Sequence, residues 1–152
     1  KSLAGVDIVH VPYKGTAPAL NDLLAGQVQM SFDNITTLLP HIQSGKLRAL
    51  AVSWNQRLAV LPSVPTYAEM SLFSNNDPSW FGLVAPAATP QPAVRRVQDA
   101  VARALREPAV RDRLAGQGLF PSGTLPDEFG AQIRKEIDKI QRISRFARIS
   151  LD

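Results

Sequence analysis

The chain has 152 residues, 45% hydrophobic and 20% charged, with a formal net charge of +4, the profile of a globular domain with room for one full core. It has no cysteine, which excludes disulfides, thiolate zinc sites and cysteine nucleophiles and suits an oxidising compartment such as a bacterial periplasm. No apolar run approaches the roughly 18 residues that a membrane-spanning helix needs, and Lys1–Gly5 carry no apolar stretch of the kind found in secretory signals.

Up to about Ser53 the pattern is βαβαβ. Val6–Val11 is expected as a strand, followed by a tight turn at Gly15 and a helix over Ala17–Ala25 that Gly26 closes. Thr16 is placed as the N-cap of that helix, with Pro18 in its first turn. A second strand, Val28–Asp33, leads into a helix over Thr36–Ser44 closed by Gly45, and Leu47–Val52 is the third strand. Short, nearly continuous apolar strands with short connections indicate a small parallel sheet covered on both faces.

Beyond Trp54 the regularity breaks. Pro62 and Pro65 precede a short helix from Thr66, whose N-cap role is supported by Glu69 three residues on. Ser71–Ser79 reads as loop, and Trp80–Ala85 as a further apolar strand. Pro86, Pro90 and Pro92 mark a connector over residues 85–92. A long helix then runs to about Arg106, presenting Val94, Val97, Val101 and Leu105 on one face. Another helix starts at Pro108 and reaches Gly116, and a last one spans about Pro126–Phe146 with a stripe at Phe129, Ile133, Ile137, Ile140 and Ile143. The arginines of this region alternate with acidic residues, including Asp99, Glu107, Asp112, Glu136 and Asp138. With no basic–aromatic interleaving, they read as a solvated helix face rather than a nucleic-acid surface.

Chemistry concentrates at one end of the expected sheet. A strand, a glycine turn and a helix start leave backbone N–H groups unpaired at the positive end of the helix dipole, a seat for a carboxylate or phosphate. Gly15, Thr16, Ala17 and Pro18 form that turn, with Lys14 as a neighbouring cation or a plain loop lysine. The pattern is neither GxGxxG nor GxxxxGK[ST], so nucleotide binding is unsupported. Asp33 and Asn34 end the second strand on the same edge; they either accept from a ligand or cap the following helix. Trp80 and Phe81 either close a cleft at its hinge or pack in a core. His10 and His41 form no metal-ligand spacing, and His10 reads as a structural strand residue. No GxSxG elbow or paired-carboxylate arrangement is present, so no catalytic residue, metal or cofactor is assigned.

The segments VDIVHVPYKGTAPALNDLLAGQV, MSFDN, LLPHIQSGKLRALAV, LPSVPTYAEM, SWFGLVAPAATPQPAV and PDEFGAQIRKEI, in this order, resemble the Bug (TctC-like) solute-binding proteins of tripartite tricarboxylate transporters. The resemblance covers essentially the whole chain. It implies an α/β fold similar to type II periplasmic binding proteins, in which two lobes close on a ligand. Residues 1–84 would supply most of a second ligand-binding lobe, 85–92 a connector, and 93–152 a helical segment packing on a first lobe. That first lobe and the signal peptide are expected to lie outside this chain. The implied function is non-enzymatic: periplasmic capture of a small carboxylate or amino acid, without a cofactor, for a membrane permease or a sensor partner. The competing reading is an α/β enzyme acting on a small organic acid with its catalytic residues on the absent part. Carried over by residue, Gly15, Thr16 and Ala17 would donate to a ligand carboxylate, with Tyr13 and Lys14 shaping the edge and Pro18 fixing the helix start. Asp33 and Asn34 would line the cleft floor, and Trp80 and Phe81 would sit near the hinge. Apolar helix faces left uncovered would also permit a homodimer.

Overall fold

A computed structural model describes residues 5–71 and 79–147. Among these residues five helices form: α1 (Thr16–Leu24), α2 (Ile35–Gln43), α3 (Gln91–Ala104), α4 (Pro108–Ala115) and α5 (Pro126–Ala147). Each lies within two residues of its expected position, because local signals set its ends. Prolines sit in the first turn of α3 and α4, where the missing N–H costs nothing. Glycine follows the ends of α1 and α2: Gly26 donates to the Leu23 carbonyl at 3.2 Å and Gly45 to that of Ile42 at 3.0 Å. None of the helices is long and apolar enough to cross a membrane.

The expected sheet is not formed among the described residues. Val6–Val11, Val28–Asp33, Leu47–Val52 and Trp80–Ala85 run without strand pairing, and one isolated parallel bridge joins Val52 to Thr66. Val52 donates to Pro65 at 2.9 Å and accepts from Tyr67 at 3.1 Å. The physical reason lies in where the two kinds of element find their hydrogen bonds. A helix satisfies its backbone within itself, whereas a strand depends on a neighbour. Apolar side chains on these segments are consequently exposed, Val9 and Phe32 at 79% each and Val84 at 81%. His10 is exposed too, so it does not serve as a packed strand residue.

The chain divides into two compact units. One comprises Val11–Val84 with Glu107–Pro121, and the other Lys1–His10, Ala85–Arg106 and Ser122–Asp152. The first holds the core: Leu39 of α2 buried with Leu58, Leu61 and Val64, flanked by Ile35, Ile42, Ala49, Val52, Trp54 and Val60. Burying each such aliphatic side chain contributes about 1.5–3 kcal/mol. Trp54 stacks on Phe120 with ring centroids 5.1 Å apart and an interplanar angle of 12°. Gly118, at φ 75°, lets the chain pass so close to Ile35 that an added Cβ would lie 3.1 Å from its Cγ2. In the other unit α3 packs on α5, and the Gln98 side-chain amide donates to the Gly123 carbonyl at 3.1 Å.

The capping box expected at Thr66 is present. The Thr66 N–H donates to Glu69 Oε2 at 2.8 Å and the Glu69 N–H to Thr66 Oγ1 at 3.2 Å. It closes a single turn rather than starting an α-helix, since the chain turns again at Ser71. Arg57 reinforces it, its Nε lying 2.9 Å from Glu69 Oε1 and its Nη1 donating to the Pro62 carbonyl at 3.2 Å. Of the loop expected over Ser71–Ser79, residues 72–78 lie outside the described residues.

Candidate functional site

The turn before α1 is built on Gly15, whose φ of 105° and ψ of 174° belong to a region open essentially to glycine alone. This conformation points the chain into α1 with Thr16 as the first helical residue. Thr16 is therefore not the N-cap expected from sequence: Gly15 is, and no side chain caps the helix. Pro18, the third helical residue, has no N–H to offer. The unpaired donors at this end are the N–H groups of Gly15, Thr16 and Ala17, none hydrogen-bonded among the described residues.

Thr16 directs its hydroxyl outward because it is not needed as a cap. Its Oγ1 donates to Asp33 Oδ1 at 3.4 Å. Asp33 stands just before α2, and the same Oδ1 accepts the N–H of Asn34 at 2.7 Å. Asn34 is the N-cap residue of α2 in extended conformation, yet its side chain makes no capping bond. Neither Asp33 nor Asn34 thus caps α2 by side chain, the alternative reading of this pair. The starts of α1 and α2 meet at the Thr16–Asp33 contact, and both positive dipole ends lie beside one carboxylate. Asp33 Oδ2 accepts no hydrogen bond among the described residues, and Asp33 forms no ion pair there.

Tyr13 is held away from the turn. Its hydroxyl donates to Asp22 Oδ2 of α1 at 2.8 Å, and that hydrogen bond, more than any burial, raises the phenol pKa above its ordinary value. Asp22 was not singled out by sequence, since an acidic residue on an amphipathic helix carries no sign of its distant partner. Lys14 is exposed and forms no ion pair among the described residues. Gly15, Thr16, Ala17, Pro18, Asp33 and Asn34 are therefore brought together, with Tyr13 and Lys14 at the margin. Trp80 and Phe81 lie in the same unit but on an exposed stretch, 42% and 68% exposed. The described residues include no cluster of His, Cys, Asp and Glu able to hold a metal ion. Chemically, the cluster offers five elements: three main-chain donors, one hydroxyl and one free carboxylate oxygen.

Comparison with solved structures gives the class. A protein described as a periplasmic transporter superposes with a TM-score of 0.91 at 42% identity, over 99% of this chain and 50% of its own. A Rhodopseudomonas palustris protein solved with adipate gives 0.89 at 33% identity, over 98% and 50%. MatC from the same genus and species, solved with malate, gives 0.79 at 37%, over 91% and 48%. The fold is thus that of α/β periplasmic binding proteins. The model of the tripartite tricarboxylate transporter family receptor matches residues 1–146, and the chain belongs to this family. Among curated relatives, a protein encoded between clcB and clcD in Pseudomonas knackmussii is 39% identical over 137 residues, 90% of this chain and 81% of the relative. BugT of Bordetella pertussis is 36% identical over 135 residues, 89% of this chain and 41% of BugT. The chain therefore spans about half of the solved relatives and two-fifths of BugT.

Proposed function

We propose that residues 1–84 supply most of a ligand-binding lobe of a periplasmic receptor that captures a small carboxylated solute and delivers it, unchanged, to a membrane permease. The observation that carries this reading is the meeting of two helix starts without side-chain caps at Thr16 and Asp33. Their free N–H groups and dipoles suit a ligand carboxylate. The family and the adipate- and malate-bound neighbours support the ligand class. In this reading Gly15, Thr16 and Ala17 donate to the carboxylate, Asn34 lines the floor, and Lys14 and Tyr13 form the rim. Trp80 and Phe81 stand near the hinge of the full protein, whose remaining half pairs the open strands and closes over the ligand.

Thermal unfolding of the full-length protein across a panel of di- and tricarboxylates, amino acids and aromatic acids tests this. A ligand at 100 times its dissociation constant adds about 2.7 kcal/mol of stability. A shift with one acid that Thr16→Pro diminishes supports the reading, since proline suits the first helical position but removes one of the donors. No shift with any acid contradicts it.

A further inference from the structure

Delivery to a permease, as proposed above, needs a surface for the permease to hold. Resting on that reading, we infer that the arginine-bearing face of α3 and α5 is this surface, and that it docks on an acidic protein face. Charge is unevenly placed along the chain. The unit that holds α3 and α5 has 11 basic and seven acidic residues, and the other unit has six of each. The formal charge of +4 therefore belongs entirely to the unit of α3 and α5.

These two helices pack on one another and keep their arginines out of the contact. In α3 and its end, Val94, Val101 and Leu105 are half-buried, whereas Arg95, Arg96, Arg103 and Arg106 are exposed. In α5, Phe129 and Ile133 are half-buried, and Arg142 and Arg145 are exposed. None of these six arginines forms an ion pair among the described residues. Asp99 and Asp138 stand four residues before Arg103 and Arg142, a spacing at which helical carboxylates meet cations, yet neither is paired there. Exposed pairs of this kind hold weakly, so a partner's carboxylates take the guanidinium groups with little competition.

The chemistry of the face selects its partner. Guanidinium forks match carboxylates in two-point contacts. A lipid sheet or a nucleic-acid backbone is anionic throughout, and Asp99 and Asp138, lying among the arginines, repel it. A protein surface can set its own cations opposite those two carboxylates, which fixes the register of the complex. The apolar side of α5, marked by Ile133 and Ile140, lies opposite Arg142, so covering that side with the rest of the full-length protein leaves the arginines in solvent.

Co-sedimentation of the full-length receptor with neutral phosphatidylcholine vesicles that carry the permease tests the inference, using receptor loaded with the acid that gives the largest thermal shift. Wild type is expected to bind, and to bind less as salt rises. The double variant Arg96→Glu, Arg103→Glu should bind about tenfold more weakly and lose most of the salt dependence, while its thermal shift with the acid stays that of wild type. The double variant Arg111→Glu, Arg113→Glu makes the same change of charge in the unit of zero net charge and should bind as wild type does. Unchanged binding of the first variant, or an equal loss in both, overturns the assignment of this face. Equal binding of wild type to permease-free vesicles containing phosphatidylglycerol overturns it in favour of a lipid surface. Wild type that shows the thermal shift but does not bind the permease vesicles overturns the docking face and delivery together and leaves carboxylate capture standing.

Discussion

Gly15→Ala isolates the backbone geometry on which the site depends. An added Cβ at Gly15 meets nothing within 4 Å, so the substitution creates no clash with a neighbour. The whole cost comes from φ 105° and ψ 174°, which an alanine tolerates only at about 1–3 kcal/mol. That energy has two outlets. If the turn holds, denaturant unfolding loses about 1–3 kcal/mol at unchanged slope. If the turn relaxes to negative φ, stability recovers but the peptide groups entering α1 reorient, and affinity for the acid falls instead. Paired urea titration and calorimetry on the same full-length variant capture either outlet. A Gly15→Ala protein with wild-type stability and wild-type affinity would refute the argument that this turn requires glycine and aims the N–H groups.

Other changes test the scaffold. Leu39→Ala empties the α2 side of the core, where Leu39 is 5% exposed among Leu58, Leu61 and Val64, and should cost about 2–5 kcal/mol by denaturant unfolding. Phe120→Leu removes the stacking partner of Trp54; about 0.5–1.5 kcal/mol beyond the area term should be lost, with a shift in tryptophan emission. Glu69 has its pKa lowered chiefly by the Thr66 N–H, with Arg57 adding to the effect. Its contribution to stability is therefore fully present above the ordinary glutamate range and is lost as pH falls through the depressed folded value. Thermal melts from pH 7 towards pH 3 should show a smaller acid-side loss in Glu69→Gln than in wild type.

What was legible in the sequence followed from locality. Helix ends are written in nearby residues: prolines opening α3 and α4, and glycines after α1 and α2, place them within two residues. The Thr66–Glu69 box was readable for the same reason, although the turn it closes does not grow into a helix. The four segments expected as strands stand out by apolar composition, yet they do not pair among the described residues, and pairing is a non-local matter that no short window contains. Thr16 shows the limit within the site. Its type and position suggested an N-cap, yet tertiary contact gives its hydroxyl to Asp33 17 residues away. The Trp54–Phe120 stack and the close pass of Gly118 over Ile35 likewise join residues that nothing nearby in sequence connects.

In the proposed receptor a ligand carboxylate sits on the start of α1. The most direct measurement is a crystal structure of the full-length protein with the acid that gives the largest thermal shift. A carboxylate oxygen is expected about 2.7–3.2 Å from the N–H nitrogens of Thr16 or Ala17, beside Asp33. An acid bound elsewhere, with only water on those N–H groups, would contradict it.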